Sequence, residues 1–172
     1  MASSFILTEQ MLNSFYIKNE NIPYQEILLT RLFIHTQSKL IENINKALKK
    51  NKINDTLLMA LIVLEAHDDY RCHPSELSTI IGESRPNVTR ITDKMEKRGW
   101  ISRYESKNDR RCLHLQLTNK GLDLLNEVLP QQHRNLYRLW SVLNAHEKEQ
   151  FELLMHKLLS RLNLMNSESP QV

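Results

Sequence analysis

Apolar residues recur at helical spacing along most of this chain. From about Pro23 to Asn51, leucine and isoleucine return every three or four residues, which predicts a long amphipathic helix. A second helix is predicted from Thr56 to His67, capped by Asn54 or Asp55, because the run LLMALIVL is apolar nearly all round and belongs in the interior. The first 22 residues lack this pattern, and we expect a loosely ordered arm there.

The stretch from Pro74 to Thr118, called the winged segment below, is predicted to form two short helices followed by two strands. Asp68 to Cys72 is expected to be a simple link into it. Pro74 suits the first position of the first helix, and Gly82 suits the left-handed residue that ends it. The inner face of this helix is predicted to be Leu77, Ile80 and Ile81.

The second short helix is predicted to begin after Ser84, a good N-cap residue, and to end near Gly99. Spacings of three and four residues define its inner face, which consists of Val88, Ile91, Thr92 and Met95. The opposite side presents Thr89 and Arg90, with Asn87 beside them. Arginine, asparagine and threonine side chains can bind base edges or phosphates, so this side is a candidate DNA-reading face.

Two strands are predicted next, at Trp100 to Tyr104 and at Cys112 to Leu117. In the second strand the alternation places Leu113, Leu115 and Leu117 inward. The charged loop ESKNDRR between the strands could enter a minor groove, or could be an ordinary hairpin tip. Its position after the candidate reading helix favours the first interpretation. The fold class is therefore mainly α, a winged helix-turn-helix with a small β wing.

Two further helices are predicted after the wing. Thr118 should cap a long helix containing Pro130, where we expect a kink. Asn144 and Glu147 form a capping box for the last helix, whose apolar stripe is Phe151, Leu154, Leu158 and Leu162. This stripe is too long for one small lobe to cover, which favours a dimer. The alternative is a monomer whose last helices fold back on its own core.

Charge is concentrated in the winged segment. Residues 71–111 hold ten basic and six acidic residues, whereas the rest of the chain has a net charge of −1. This distribution is what phosphate contact requires, although a solvated helix face could produce it too. The N-terminus lacks the features of a signal peptide and no apolar run is long enough to span a membrane, so we expect a cytoplasmic protein without membrane contact.

Enzymatic sites are not predicted. The sequence shows no paired carboxylates, nucleophile with base, phosphate-binding glycine loop or metal-ligand spacing, so neither a cofactor nor a metal is expected. Cys72 and Cys112 are too few and too far apart for a disulfide framework. Cys112 lies beside Arg110 and Arg111, which could lower its pKa, but at the start of a strand it is expected to be inert.

The wing carries a family signature. The pattern D-x-R-x5-L-T occurs as Asp109, Arg111, Leu117 and Thr118, preceded by MEKRGWI and followed by TNKG. In these motifs the chain resembles the MarR-type transcription regulators, over about residues 25–165. The segments YQEILLTRL, PSEL and KLLSRL are similar to those of the family's multidrug-efflux-pump repressors. The resemblance implies a repressor of an efflux-pump operon.

The resemblance also implies roles for individual residues. Arg111 would enter the minor groove, Asp109 would orient neighbouring basic side chains, and Arg110 would contact a phosphate. The contacts of the recognition helix would fall on Ser84, Arg85, Asn87, Thr89 and Arg90. The spacing argument had independently selected Asn87, Thr89 and Arg90, so the two lines of reasoning agree there.

A homodimer on double-stranded DNA is implied as well. The family pairs its terminal helices, so residues 23–53 and 119–165 would form a helical dimerisation region around a DNA-binding region at 54–118. Residues 1–22 would be the arm and 166–172 a tail. Two recognition helices would then lie roughly 34 Å apart, on an imperfect palindromic operator.

The implied effector is a small phenolic or lipophilic anionic compound that releases the protein from DNA. Arg31, His35 and Lys39 share one helix face and could meet an anion, but each is also explained as a solvent or dimer contact. Met59 and Trp140 are further candidates that core packing would equally explain. Two alternatives stay open: a redox-responsive regulator of the same family, and a winged module that binds proteins rather than DNA.

Overall fold

The computed structural model describes residues 5–19, 21–105 and 113–168. In chain order the helices are α1 (Ile6–Lys18), α2 (Tyr24–Leu48), α3 (Asp55–Glu65), α4 (Pro74–Ile81), α5 (Arg85–Lys97), α6 (Asn119–Trp140) and α7 (Ala145–Glu168). The strands are β1 (Arg71–Cys72), β2 (Ile101–Glu105) and β3 (Leu113–Leu117), and a 3-10 turn (Lys49–Asn51) follows α2. The chain divides into two compact units, residues 1–128 and 129–172. The predicted mainly helical, winged fold is confirmed.

Helix α3 is the centre of the first unit. The Asn54 side chain caps it by accepting a hydrogen bond of 3.1 Å from the Leu57 amide. Its buried residues point in several directions, as an almost uniformly apolar helix requires: Leu57, Leu58, Ala60, Leu61, Val63 and Leu64. Two apolar residues of this helix are less buried: Ile62 is half-buried, and Met59 has 40% of its surface exposed. The prediction of a buried central helix is therefore confirmed.

Helix α1 corrects the expectation of an irregular N-terminal arm. Phe5 and Leu12 are buried, and the rings of Tyr16 and Tyr24 lie 5.0 Å apart, so α1 packs on the start of α2. Helices this short are marginal in isolation, and packing supplies most of their stability. The sequence pattern was weak because Leu12 is the one buried residue of α1, so the helix carries no apolar stripe.

The sheet has three strands rather than the two predicted. β1 pairs with β3 in an antiparallel register that sets Cys72 opposite Leu115, so the segment expected to be a simple link is partly an edge strand. β2 pairs with the other side of β3, with Ile101 opposite Leu117. Leu115 and Leu117 are buried as predicted, but Leu113 is 39% exposed because it lies at the open end of the strand.

Helix α4 follows the prediction except at one position. Leu77 is buried, and Gly82 ends the helix with a φ of 67°. Ile80 is 51% exposed, so its assignment to the inner face was wrong. An eight-residue helix has little more than two turns, and here the core contact falls on Leu77.

The second unit contains the C-terminal part of α6 and the whole of α7. Pro130 lies inside α6, and the helix continues past it to Trp140. Asn144 and Glu147 form the predicted capping box: the Glu147 amide donates to Asn144 Oδ1 at 2.9 Å, and the Asn144 amide donates to the Glu147 carboxylate at 2.8 Å. Within this unit the Trp140 and Phe151 rings are 5.8 Å apart. In the described parts of the chain no helix has the length and apolarity needed to cross a membrane.

Candidate nucleic-acid interface

Helix α5 presents the candidate reading face. Its inner residues Val88, Ile91, Thr92 and Met95 are all buried, as the spacing predicted. Arg85, Thr89 and Arg90 are exposed on the other side, and Asn87 is half-buried beside them. Burial of one face therefore fixes the rotation of the helix, and the candidate DNA contacts share the side that is left open.

Two devices orient the start of this helix. Ser84 is its N-cap and accepts a hydrogen bond of 3.4 Å from the Asn87 amide. Its hydroxyl is thus used within the protein, in agreement with the cap prediction. The turn before it is held by Ser78. Its Oγ donates to the Glu83 carbonyl at 2.6 Å, and its backbone carbonyl accepts from the Glu83 amide at 3.1 Å.

Three side chains at the start of α5 are joined by hydrogen bonds. Asn87 donates from Nδ2 to a Glu83 carboxylate oxygen at 2.5 Å. Its Oδ1 accepts from Arg90, at 2.7 Å from Nη2 and 3.2 Å from Nε. The structure thus brings together Asn87 and Arg90, both predicted contacts, and adds Glu83, which sequence reasoning did not assign to the site.

Arg103 is a second residue that sequence reasoning missed. It extends from β2 to α5, donates to Thr92 Oγ1 at 2.5 Å and pairs with Asp93 at 2.6 Å and Glu96 at 3.5 Å. Only 22% of its side chain is exposed. The sequence did contain a signal for this contact: Arg103 is a charged residue at an inward strand position, and the preceding helix carries two acidic residues one turn apart. The contact fixes the wing strand against the recognition helix.

The outer face of the sheet is covered by stacked rings. His114 lies between His73 and Tyr104, with ring centroids 4.0 Å and 5.3 Å away respectively. The Arg71 guanidinium lies 5.2 Å from the centroid of the Tyr104 ring. Since His114 and Tyr104 are direct cross-strand partners, this stack ties the base of the wing together.

The wing tip carries three of the predicted DNA contacts. Asp109, Arg110 and Arg111 fall within residues 106–112, outside the described residues, and so does Cys112. β2 and β3, the strands that lead into this loop, pair as the wing prediction requires. The roles of the three residues remain predictions.

The candidate effector residues lie on three elements: Arg31, His35 and Lys39 on α2, Met59 on α3 and Trp140 at the end of α6. Arg31 is exposed on α2, where it lines a surface recess with Glu26, Ile27 and Thr30. The ring of His35 is 5.3 Å from that of Phe5. Lys39 pairs with Glu42 at 2.7 Å and, by hydrogen bond and charge, lowers the pKa of that carboxyl. Met59 is on α3, and Trp140 belongs to the second unit.

Cys72 is poorly suited to redox chemistry. It is buried in β1, and burial together with the nearby charge of Glu76 raises the pKa of its thiol to about 11. Because the thiolate is the reactive form, this cysteine stays protonated and inert at neutral pH. In the described residues, no three histidine, cysteine, aspartate or glutamate side chains are grouped so that they could hold a metal ion.

Comparisons with known proteins agree with this geometry. The sequence profile of the MarR family matches residues 53–113. Over 168 residues the chain is 58% identical to the transcriptional repressor MprA of Escherichia coli strain K12, covering 98% of this chain and 96% of the relative. It is 34% identical over 150 residues to the regulator PrsX of Escherichia coli, with coverage of 87% and 90%.

The fold also matches a solved structure. Sco3205, a MarR family transcriptional regulator from Streptomyces coelicolor crystallised in complex with DNA, superposes with a TM-score of 0.77 at 19% identity. The match covers 82% of this chain and 89% of that one. At this identity the likeness concerns the fold alone.

Proposed function

Because the chain belongs to the MarR family of transcriptional regulators, we propose that it is a dimeric repressor of a multidrug-efflux-pump operon, released from its operator by a small lipophilic molecule. It is a DNA-binding regulator and not an enzyme. The proposal adds three points to the family membership: that the chain pairs with a second copy, which operon it represses, and which class of effector releases it.

The observation that supports DNA reading most directly is the open face of α5. Its buried side is fully used by the core, which leaves Arg85, Thr89 and Arg90 exposed on one side of a helix clamped to the wing by Arg103. A helix held this way can enter a major groove as a rigid body. The basic excess of residues 71–111 supplies the attraction to phosphate.

The dimer is supported by apolar surface that one chain leaves uncovered. On α2, Leu29, Phe33 and Ile34 are exposed, and α7 exposes the whole predicted stripe. Monomeric proteins rarely show apolar patches of this extent, which usually mark an interface. A two-fold pair would cover them and place two α5 helices on successive major grooves of an imperfect palindrome.

The operon and the effector rest on sequence. The 58% identity to MprA and the segments shared with efflux-pump repressors support the same target class. An effector of phenolic or lipophilic anionic type would combine apolar contacts with one positive partner. Arg31 is the better candidate for that partner, because Lys39 is already paired with Glu42. A regulator of this kind acts in the cytoplasm.

A fluorescence-anisotropy titration on the DNA upstream of its own gene tests the proposal. The logarithm of affinity should fall steeply and linearly with the logarithm of salt concentration, because phosphate contacts release counterions. A panel of phenolic and uncoupler-like compounds should lower the affinity, while matched uncharged polar compounds should not. A flat salt dependence would indicate a protein-binding module instead. Release by peroxide alone would favour the redox regulator.

A further inference from the structure

The hydrogen-bonded group Glu83–Asn87–Arg90 has a fixed direction. A carboxylate can only accept hydrogen bonds, so Glu83 determines that the Nδ2 side of Asn87 faces it, at 2.5 Å. The Oδ1 side must then face the opposite way, where it accepts both bonds from Arg90. The orientation of the amide, and through it the position of the guanidinium, is therefore set by Glu83.

The anchor of this group is rigid. Both the amide and the carbonyl of Glu83 are bonded to Ser78, across the turn between α4 and α5. The side chain of Glu83 is half-buried, so it has fewer alternative positions than a fully exposed carboxylate. The turn therefore restrains the position of Glu83, Glu83 orients the Asn87 amide, and the amide positions the Arg90 guanidinium.

This arrangement decides which side chain is available to a base. Asparagine reads adenine with Oδ1 and Nδ2 together, but in Asn87 the Oδ1 already accepts two bonds from Arg90 and one Nδ2 hydrogen is donated to Glu83. Arg90 donates to Asn87 from Nε and from one hydrogen of Nη2. The hydrogens of Nη1 and the second hydrogen of Nη2 remain available at the end of the exposed guanidinium. Two parallel donors at this end match O6 and N7 of guanine.

We infer that Glu83 is a positioning residue for sequence recognition: through Asn87 it holds Arg90 in place to read a guanine, and Asn87 supports Arg90 rather than reading a base itself. The inference rests on the proposed DNA-binding function and revises the role expected of Asn87. A negative charge at this point also disfavours a phosphate beside Arg90, which directs the guanidinium towards base edges.

The test uses duplexes selected from a randomised pool on the full-length wild-type protein. Affinities are then measured for the selected consensus and for each of its single-base-pair variants. Arg90→Ala should remove discrimination at one G·C position, about 5-fold or more. Glu83→Ala should lower discrimination at that same position, and Glu83→Gln should largely keep it, because the amide oxygen still accepts from Asn87.

Two controls separate positioning from simple effects of charge and stability. Asn87→Ala removes the same link from the other side, so it should reproduce the loss even if Glu83→Ala folds poorly. Adding Glu83→Ala to Arg90→Ala should cause no further loss at that position, since coupled residues are not additive. Thermal unfolding of each variant checks that the winged segment is intact.

Four results would overturn the inference. Glu83→Ala and Glu83→Gln could raise affinity equally for every duplex, which would make Glu83 a repelling charge only. Asn87→Ala could relax an A·T position that Glu83→Ala leaves unchanged, which would make Asn87 a direct reader. If the wild-type protein selected no duplex, the proposed function and this inference would both be overturned. If the wild type selected a duplex but Glu83→Ala left the discrimination at the G·C position unchanged, the inference alone would be overturned.

Discussion

Helices α5 and α7 both carry an apolar stripe but differ in what covers it. The inner residues of α5 are at most 5% exposed within one chain, whereas Phe151, Leu154, Leu158 and Leu162 of α7 are 43–65% exposed. The outer side of α5 is polar and charged. The winged segment is thus completed by contacts within its own chain, and α7 has apolar surface that a second chain could cover.

The difference separates the two tasks that the proposed dimer would have, reading DNA and pairing with a second chain. Reading DNA needs side chains held in fixed positions, which the buried face of α5 and the Arg103 contacts provide. Pairing needs a surface that is stable only when a partner is present. Substitutions in the two helices should therefore differ in how their effects depend on protein concentration.

The largest effect is expected from Met95→Ala in α5. Met95 is fully buried, so the substitution should lower the free energy of unfolding by about 2–5 kcal/mol. Urea denaturation at two protein concentrations measures it, and the loss should be the same at both. Lys94→Ala, on the exposed side of the same helix, is the control and should change the free energy by less than about 0.5 kcal/mol. Equal losses for the two variants would contradict the packing described.

Leu154→Glu in α7 should act mainly on self-association. A carboxylate in the proposed interface should weaken it by about 2 kcal/mol, roughly 30-fold. Sedimentation velocity over a dilution series measures the change. Ser160→Glu adds the same charge on the polar row shared with Glu152 and His156, and should dissociate the pair much less. If wild type were monomeric throughout, the dimer proposal would fail.

A pair of glycine substitutions tests how closely the winged segment is packed. A Cβ at Gly121 would overlap the Trp100 carbonyl oxygen and the Leu117 side chain, so Gly121→Ala should cost about 1–3 kcal/mol. Gly82 has open space around it but a φ of 67°, so Gly82→Ala should cost only about 1 kcal/mol through backbone strain. Thermal unfolding ranks the two. A smaller loss at Gly121 would show that α6 does not press on the strand as described.

The smallest effect is a pH dependence at His67. Its Nδ1 donates to the Val63 carbonyl at 2.7 Å, which leaves Nε2, 3.2 Å from a Glu76 carboxylate oxygen, as the nitrogen that gains the proton. The Val63 bond and then Glu76 raise the pKa of His67, and the bond from His67 lowers the pKa of Glu76. Because the pKa of His67 is higher in the folded state, its protonation stabilises the fold at pH values below the usual histidine pKa near 6.5. This stabilisation is lost as the pH rises through the pKa of His67 in the folded state.

Urea denaturation of wild type and His67→Gln between about pH 5 and about pH 8 measures the pH-dependent stabilisation that His67 contributes. The stability advantage of wild type should be present at the lower end and shrink towards the upper end. Glu76→Gln should remove part of the same slope, because it removes one of the two partners and leaves the bond to the Val63 carbonyl. A difference that stays constant over this range would mean that the ion pair does not contribute.

Regular local patterns in the sequence predicted most of the fold. The buried face of α5 and the Asn144–Glu147 capping box were predicted correctly, and Asn54 is the cap among the two candidates for α3. Each of these features depends on spacings of three or four residues. The exposed candidates Thr89 and Arg90 followed from the same periodicity, whereas Arg85 came from the family resemblance. For the wing tip and the effector residues, the sequence-based assignments are still predictions.

Features that lack a regular local pattern were not predictable in this way. Helix α1 depends on packing against α2, and β1 is only two residues long and is defined by its pairing with β3. Glu83 was assigned no role from the sequence, and only its hydrogen bond to Asn87 connects it to the site. These features depend on three-dimensional proximity, for which a single sequence holds no direct signal.

Footprinting with stoichiometry tests the central claim most directly. Wild type would be bound to its selected duplex, and hydroxyl-radical protection would be read on both strands while the protein-to-DNA ratio is measured by sedimentation. We predict two chains per duplex and two protected half-sites whose centres are about 10 base pairs apart, related by a two-fold axis. A single chain protecting one continuous site would contradict the account.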